Sequence, residues 1–541
     1  MWATVVLATL SLALYVFYRR RCRLTSIFHE MGVPGPEPHW LLGNFGSFHK
    51  RLQFEVLREW KKKYGNTFGY YEGPTPVLCT SDLDVLQEVC IKQFSKFHGR
   101  KIFPVGPDPD KDKIVNMFSA RGQRWKRLRT IINPTFSMAK LKQMAPQMNV
   151  AISRLLKKLG RACDDGKPFN IYKYYQALTL EVIGECACGL HTDAQSNQDD
   201  LFLKCARAIF DMQDKVPKIV LLGVIVPELR RILWVIRQVA FRIVQNPVRM
   251  IMKMMETVIE DRRKEKLANT NKRRFTDLLQ LLLDAEDTSF DYSAQPDSFT
   301  MPSEEGQEVT DDVTPRVKAT NGTKANLKAM TKEEALSQSV LFLLAGYETT
   351  STALAYVTYI LAKHPDIQEK LAQEIQQYIR DKEEPSYEDV RKIEYLEMVL
   401  HETLRVYPIG AQVITRMCMQ ECTVGGYKLT PGVIVHANLW CIHNDPEIWP
   451  NPELFQPERF SAANSQGRHP LAWIPFGAGP RNCVGLRFAM MEAKIAICRI
   501  LSEFRIEWSQ QTPDPLPLRQ SGTITPKGGV VIKLSRRNKS V

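Results

Sequence analysis

Cysteine is sparse and scattered: 12 in 541 residues, at positions 22, 79, 90, 163, 186, 188, 205, 418, 422, 441, 483 and 498. The lack of dense, regular spacing excludes a disulfide-stapled secreted scaffold and leaves thiols in a reducing compartment as the expectation. Cys186 and Cys188 are too close for a zinc knuckle and the next pair, Cys418 and Cys422, lies far along the chain, so no structural zinc is expected. There is one long charge-free apolar run, which excludes a polytopic membrane protein. The 29 Gly and 32 Pro do not suit a collagen, and 44% hydrophobic against 24% charged residues does not suit a wholly disordered chain. No Rossmann-type glycine fingerprint or flavin domain is visible. Acid is in deficit, 59 against 73 basic side chains, for a net charge of +14. That sign suits nucleic acid, an anionic membrane surface or an acidic protein partner without choosing among them.

What is present begins at the amino terminus. Trp2 to Tyr18 is 17 mostly apolar residues without a charge, about 26 Å as a helix against a hydrocarbon layer of roughly 27–30 Å. Arg19, Arg20, Arg21 and Arg23 follow at once, so 1–23 reads as a retained transmembrane anchor with its basic stop and everything downstream as cytosolic. A cleaved signal peptide would carry its charges before the apolar core. Three prolines between Val33 and Pro38 make 24–38 a semi-rigid neck, and 39–541 reads as the catalytic body. Thr67 to Leu78, around Gly73-Pro74, reads as a small hairpin, Met138 to Leu190 as mainly helix, and Lys332 to about Ala362 as one long helix. Beyond about Val413 short strand-like runs alternate with Pro-rich loops. The fold class expected is mainly α with small separate β-sheets, α+β, and no parallel dinucleotide-binding sheet.

Two segments invite more than one reading. Ile219 to Pro227 is an apolar run that suits either an ordinary buried helix or a second, shallow membrane contact giving apolar ligands a way in from lipid. Asp284 to Asp312 holds ten acidic residues and no basic one, and belongs to a solvated linker insertion over 284–330. Asn321-Gly322-Thr323 inside it matches a glycosylation acceptor by accident, since a cytosolic body never meets the transferase.

The strongest local signal is Phe476-Gly477-Ala478-Gly479-Pro480-Arg481-Asn482-Cys483-Val484-Gly485, just before a helical run from Leu486 to Leu501. A Gly-rich loop lets backbone approach a large flat ligand, and a cysteine before a helix start has its thiolate favoured by helix amides and a nearby Arg. Alone, such a cysteine also suits a small buried hydrophobe. Glu402 and Arg405, three apart, share a helix face, and the guanidinium of Arg459 in Pro457-Glu458-Arg459-Phe460 can fork onto the same carboxylate. Within the long helix, Ala345-Gly346-Tyr347-Glu348-Thr349-Thr350 puts poor helix formers mid-helix. Gly346 leaves room for a diatomic ligand, and the Thr349 hydroxyl with the Glu348 carboxylate nearby can hand over protons. Trp125 and Arg129, four apart, can point to one anionic edge. Arg124, Lys126, Arg127 and Arg129 read as an exposed patch, either a solvated face or a dock for an acidic electron donor.

Together these segments resemble the cytochrome P-450 family, the haem-thiolate monooxygenases, over nearly the whole chain, and most closely its animal microsomal class, whose relatives include xenobiotic-oxidising liver enzymes and thromboxane synthase. The resemblance implies the cytochrome P-450 fold with an N-terminal transmembrane anchor and haem b, iron protoporphyrin IX, with Cys483 as the axial iron ligand. It implies that Arg481, Trp125, Arg129 and Arg416 meet the haem propionates, that Phe476 packs near the sulfur, and that Gly479, Gly485 and Ala489 complete the loop pattern. Glu402, Arg405 and Arg459 become a structural lock; Gly346, Glu348 and Thr349 become the oxygen-binding and proton-handling stretch. It further implies oxygen insertion into a lipophilic xenobiotic, steroid or fatty acid. Electrons would come from NADPH through a separate cytochrome P-450 reductase, with cytochrome b5 as a further partner, at the endoplasmic reticulum membrane, and no nucleic acid is involved. Haem isomerases of peroxidised lipids and a non-catalytic membrane haem-binding protein share the cysteine; Thr349 favours monooxygenation. The substrate pocket is expected near Phe342 to Ala345, after Tyr407-Pro408 and before Asn133.

Overall fold

The computed structural model describes residues 1–190, 192–197, 199–212, 217–244, 246–267, 277–286, 329–379 and 382–537. Most of the acidic insertion, including Asn321, lies outside the described residues. Its two described ends meet: the Met330 amide donates to the Ala285 carbonyl at 2.8 Å, and Glu286 bridges to Met330.

Helix dominates, with strands in small separate sheets. The long helix runs Lys332–Lys363. It starts where Thr331 accepts from the Glu334 amide at 3.1 Å and the Glu334 carboxylate accepts from the Thr331 amide at 3.2 Å, a reciprocal capping box. It ends before His364-Pro365, where a new helix Pro365–Ile379 begins. By composition this helix could cross a membrane, but it is largely buried inside the body. The helix Ile171–Ile183 packs along it, and Met138–Asp164 and Leu486–Glu503 complete the main core.

The expected hairpin forms from Thr67–Glu72 and Thr75–Thr80, with Gly73 at φ +59° in the turn. Its second strand pairs parallel with Ile434–Ala437, and that strand pairs antiparallel with Thr415–Met417. A three-stranded sheet joins Phe169–Asn170, Val531–Arg536 and Phe504–Trp508. These sheets flank the helices and form no dinucleotide-binding layer.

The apolar N-terminal helix spans Trp2–Thr25, so it continues through the basic cluster. Its side chains are exposed except around Arg21, which is fully buried and pairs with Glu228 at 2.6 Å. The neck is fastened to the hairpin by the Gly69 amide donating to the Pro34 carbonyl at 2.8 Å. Ile219–Pro227 fits neither reading cleanly. Lys218–Ile225 is a short helix, half-buried, with Gly223 packed under Pro104. The larger apolar surface lies one helix later: Arg230–Ile243 leaves Ile232, Val235, Ile236, Val239 and Ile243 exposed on one helical stripe.

Candidate functional site

The cysteine loop is built by two left-handed glycines. Gly477 and Gly479 have φ of +76° and +69°, and a Cβ on Gly479 would lie 1.9 Å from the Cys90 carbonyl oxygen, so only glycine lets the loop press against that segment. The Cys483 amide donates to the Phe476 carbonyl at 2.8 Å, closing the loop, and Gly485 caps the helix Leu486–Glu503. The Ala489 amide donates to the Gly485 carbonyl at 2.9 Å in its first turn.

Cys483 is exposed although protein surrounds it, as expected of a side chain at the floor of an internal space. Burial pushes its thiol up, against the lowering pull of the Gly485 amide, the Arg129 and Arg100 charges and the Leu486 amide. The arginines acting on it are Arg129 and Arg100; Arg481 turns elsewhere, donating to the Ala120 carbonyl and laying its guanidinium 4.8 Å from the Trp125 ring centroid.

Four arginines converge beside this loop. Arg129 donates to the Asn482 carbonyl at 2.9 Å and to its side-chain oxygen at 2.8 Å, Arg416 to the Ala478 carbonyl at 3.0 Å, and Arg100 to the Val413 carbonyl. Among the described residues none of the four has a carboxylate ion-pair partner, and the Nε atoms of Arg100, Arg416 and Arg481 are buried without a hydrogen bond. Burial first, then the charge of Arg416, pulls Arg100 down to about 9; burial pulls Arg129 to about 10. Burial and then Arg100, Arg416 and Arg129 pull Arg481 well down. Mutually repelling, part-desolvated cations with orphaned donors are completed by an anion. A haem with two propionates fits that vacancy of charge, and Cys483 lies within reach of Arg129 and Arg100 as the thiolate donor. Arg100 has no motif around it; it arrives because Gly99 bridges to Met417, beside Arg416.

The long helix presents Ala345 as exposed and Thr349 as partly exposed, one turn apart, with the Thr349 hydroxyl donating to the Ala345 carbonyl at 2.8 Å. Phe342 is buried against Phe136, ring centroids 5.6 Å apart. Two expectations need correction here. A Cβ on Gly346 would sit 2.7 Å from Ile183 Cγ1, so the missing side chain admits the neighbouring helix and opens no room for a diatomic ligand. Glu348 points away from Thr349: it is 1% exposed and its Oε1 accepts from the Tyr172 hydroxyl at 2.9 Å. Successive residues on a helix differ by about 100° in direction, which separates the two side chains.

The lock is wholly buried. Arg405 donates to Glu402 through Nε at 2.7 Å and Nη2 at 2.8 Å, a bidentate pair. Arg459 does not fork onto that carboxylate: its Nε lies 3.3 Å from Oε1 outside hydrogen-bond geometry, and its Nη atoms donate to the Pro450 and Asn451 carbonyls at 2.6 and 2.7 Å. The fourth direction is closed by the Gln456 amide at 3.0 Å.

The exposed basic patch is also corrected. On the helix Gly122–Ile132, Arg124 and Arg127 are buried and share Glu334, at 2.7 and 2.8 Å to Oε1, with Arg127 also reaching Oε2 at 2.9 Å. Trp125 and Arg129 face the cysteine loop instead. The cluster therefore divides by helix face, and neither Arg124 nor Arg127 offers a surface for docking.

The family model of the cytochromes P-450 matches residues 33–314 and 311–534. Cytochrome P-450 3A31 of Mesocricetus auratus is 32% identical over 98% of this chain and 96% of its own length. Cytochrome P-450 3A2 of Rattus norvegicus is 34% identical over the same shares. This family implies haem, the group the arginine cluster and the accessible thiol suit. The chain belongs to the cytochrome P-450 family, as a haem monooxygenase of its animal microsomal class.

Proposed function

We propose that this chain inserts one oxygen atom from O2 into a lipophilic xenobiotic, steroid or fatty acid, drawing electrons from NADPH through a separate membrane-bound reductase. The observation that carries this reading is the juxtaposition of an accessible thiol, Cys483, with four guanidiniums that have no carboxylate partner among the described residues. Haem held there supplies the reductive activation of O2, with thiolate electron density promoting O–O cleavage.

The remaining work belongs to the chain. Arg100, Arg129, Arg416 and Arg481, beside Trp125, hold and orient the propionates, while Phe476, Gly479, Gly485 and Ala489 shape the loop around the sulfur. Glu402, Arg405 and Arg459 fix the segment behind that loop; a bidentate buried pair tolerates little displacement. Thr349 lies on the accessible face of the long helix, and its Oγ1 holds a proton on the Ala345 carbonyl, ready to hand it on. Glu348, with its carboxyl pushed up to about 7 by burial, both takes and gives a proton near neutral pH.

Membrane attachment at the endoplasmic reticulum, with the body cytosolic, is the companion reading. Trp2–Thr25 anchors, and the exposed row on Arg230–Ile243 rests in the same interface; the Arg21–Glu228 pair tying the anchor to the segment before that row supports this. A lipophilic substrate partitions to such a surface. The test is purified full-length protein reconstituted with reductase, cytochrome b5, NADPH and lipid against steroids, fatty acids and xenobiotics. Hydroxylated product that depends on NADPH and O2 is expected. Turnover of a lipid peroxide without NADPH, and none with it, would make the chain an isomerase.

A further inference from the structure

Residues four apart on a helix share a face, so one face of the long helix carries the accessible Ala345 and Thr349, while Glu348 and Thr352 face the helix Ile171–Ile183. That second face is polar although buried. The Tyr172 hydroxyl donates to Glu348 Oε1 at 2.9 Å and lies 3.1 Å from the Thr352 hydroxyl. Since the Tyr172 proton is committed to Glu348, Thr352 donates to Tyr172. Among the described residues Glu348 Oε2 is buried with no hydrogen bond. Tyr172 itself is buried, with its hydroxyl pushed well up by burial and then by the Glu348 charge, so it is a fixed donor and never a base.

The charged and titratable groups around Glu348 come from several elements. Tyr172 lies on the neighbouring helix, with Gln176, whose side chain is close enough to favour the carboxylate. Asp211 ends the helix Leu201–Met212, Arg519 lies in the strand Leu518–Gln520, and Tyr347 and Tyr356 are on Glu348's own helix. Arg519 and Asp211 pair at 2.9 Å with Asp211 largely exposed, and Arg207 donates to Gln176 at 3.3 Å. Polar groups thus lie between solvent at Asp211 and Glu348, on the side of the long helix opposite Ala345 and Thr349.

We propose that Tyr172 is a positioning residue: its hydroxyl parks Glu348 on the side of the long helix that meets Ile171–Ile183 and sets how readily the parked carboxyl takes up the proton it then carries to Thr349. This rests on Glu348 acting as a proton donor. The step is a proton transfer alone. Protonated Glu348 gives its proton to Thr349 Oγ1 as that hydroxyl releases its own, turned from the Ala345 carbonyl, to an acceptor on the accessible face; the carboxylate returns to the Tyr172 hydroxyl and takes a proton back from solvent. The direction of Tyr172's effect follows from hydrogen-bond chemistry: a donor favours the ionised carboxyl, so removing it raises the proton affinity.

The experiment is a pH titration of the protonated-carboxyl C=O stretch by infrared difference spectroscopy on the full-length ferric holoprotein. The band is assigned by its loss in Glu348→Gln. The wild-type midpoint is expected near neutral, and Tyr172→Phe is expected to move it upward by about one pH unit, as loss of one hydrogen bond to a charged group implies. Thr352→Val, which leaves Tyr172 in place, is expected to move it upward by less and keeps the test open should Tyr172→Phe not accumulate. The alkaline limb of product formed per NADPH is expected to move with the midpoint. A midpoint unchanged in both variants overturns the assignment to Tyr172. A midpoint that moves while the coupling profile stays leaves Tyr172 holding Glu348 and removes Glu348 from proton delivery.

Discussion

Replacing Glu334 with Gln is expected to destabilise the protein by about 3–5 kcal/mol, the range for breaking a buried ion pair by removing one partner. The figure follows from the environment: Glu334 is fully buried and accepts from Arg124 and from both Nη atoms of Arg127, which are themselves buried. Glutamine keeps the shape but presents an NH2 group to one guanidinium and removes the negative charge that both cations share. Urea unfolding followed by far-ultraviolet circular dichroism reads the effect. For a slope of about 3 kcal/mol/M the midpoint drops by about 1–1.7 M. A midpoint within about 0.2 M of wild type would refute the claim that this triad joins the helix Gly122–Ile132 to the long helix.

The arginine cluster and the apolar stripe give two further expectations. Arg100→Leu is expected to speed haem loss to apomyoglobin about 10- to 100-fold, as loss of a charge-assisted hydrogen bond implies; an unchanged rate would remove Arg100 from the site. Deleting Met1 to Arg23 is expected to leave residual binding to anionic vesicles. Adding Ile236→Asp and Val239→Asp is expected to abolish that residue of binding, since each buried aliphatic side chain contributes roughly 1.5–3 kcal/mol. Complete solubility after the deletion alone would contradict a second contact.

The sequence made the chemistry legible where spacing within one element sets geometry. The i,i+3 pair Glu402 and Arg405 meets because a helix brings those positions together, and the turn at Gly477 to Gly485 is written in its glycines. Partners far along the chain were invisible. Arg124 and Arg127 look like surface charge until Glu334 arrives from 207 residues away and closes on them. Arg100 lies in a loop without periodicity, so only the bridge from Gly99 to Met417 delivers it to Arg416. Helix phase explains the other misses. Gly346 and Glu348 belong to the faces that meet the neighbouring helix, whereas Ala345 and Thr349 belong to the accessible face, and a motif read as a string does not separate the two. Similarly, the uninterrupted run at Ile219 to Pro227 drew attention by hydropathy. The row at Ile232, Val235, Ile236, Val239 and Ile243 is diluted by arginines and visible only at helical period.

Iron-edge X-ray absorption of the purified ferric protein, with the spectrum of its reduced carbon monoxide complex, tests the central assignment. The expected result is a sulfur atom in the first coordination sphere and thiolate-type absorption, both lost in Cys483→Ala. Protein lacking haem, an axial nitrogen in place of sulfur, or an unaltered spectrum in the variant would contradict Cys483 as the ligand and with it the monooxygenase chemistry built on it.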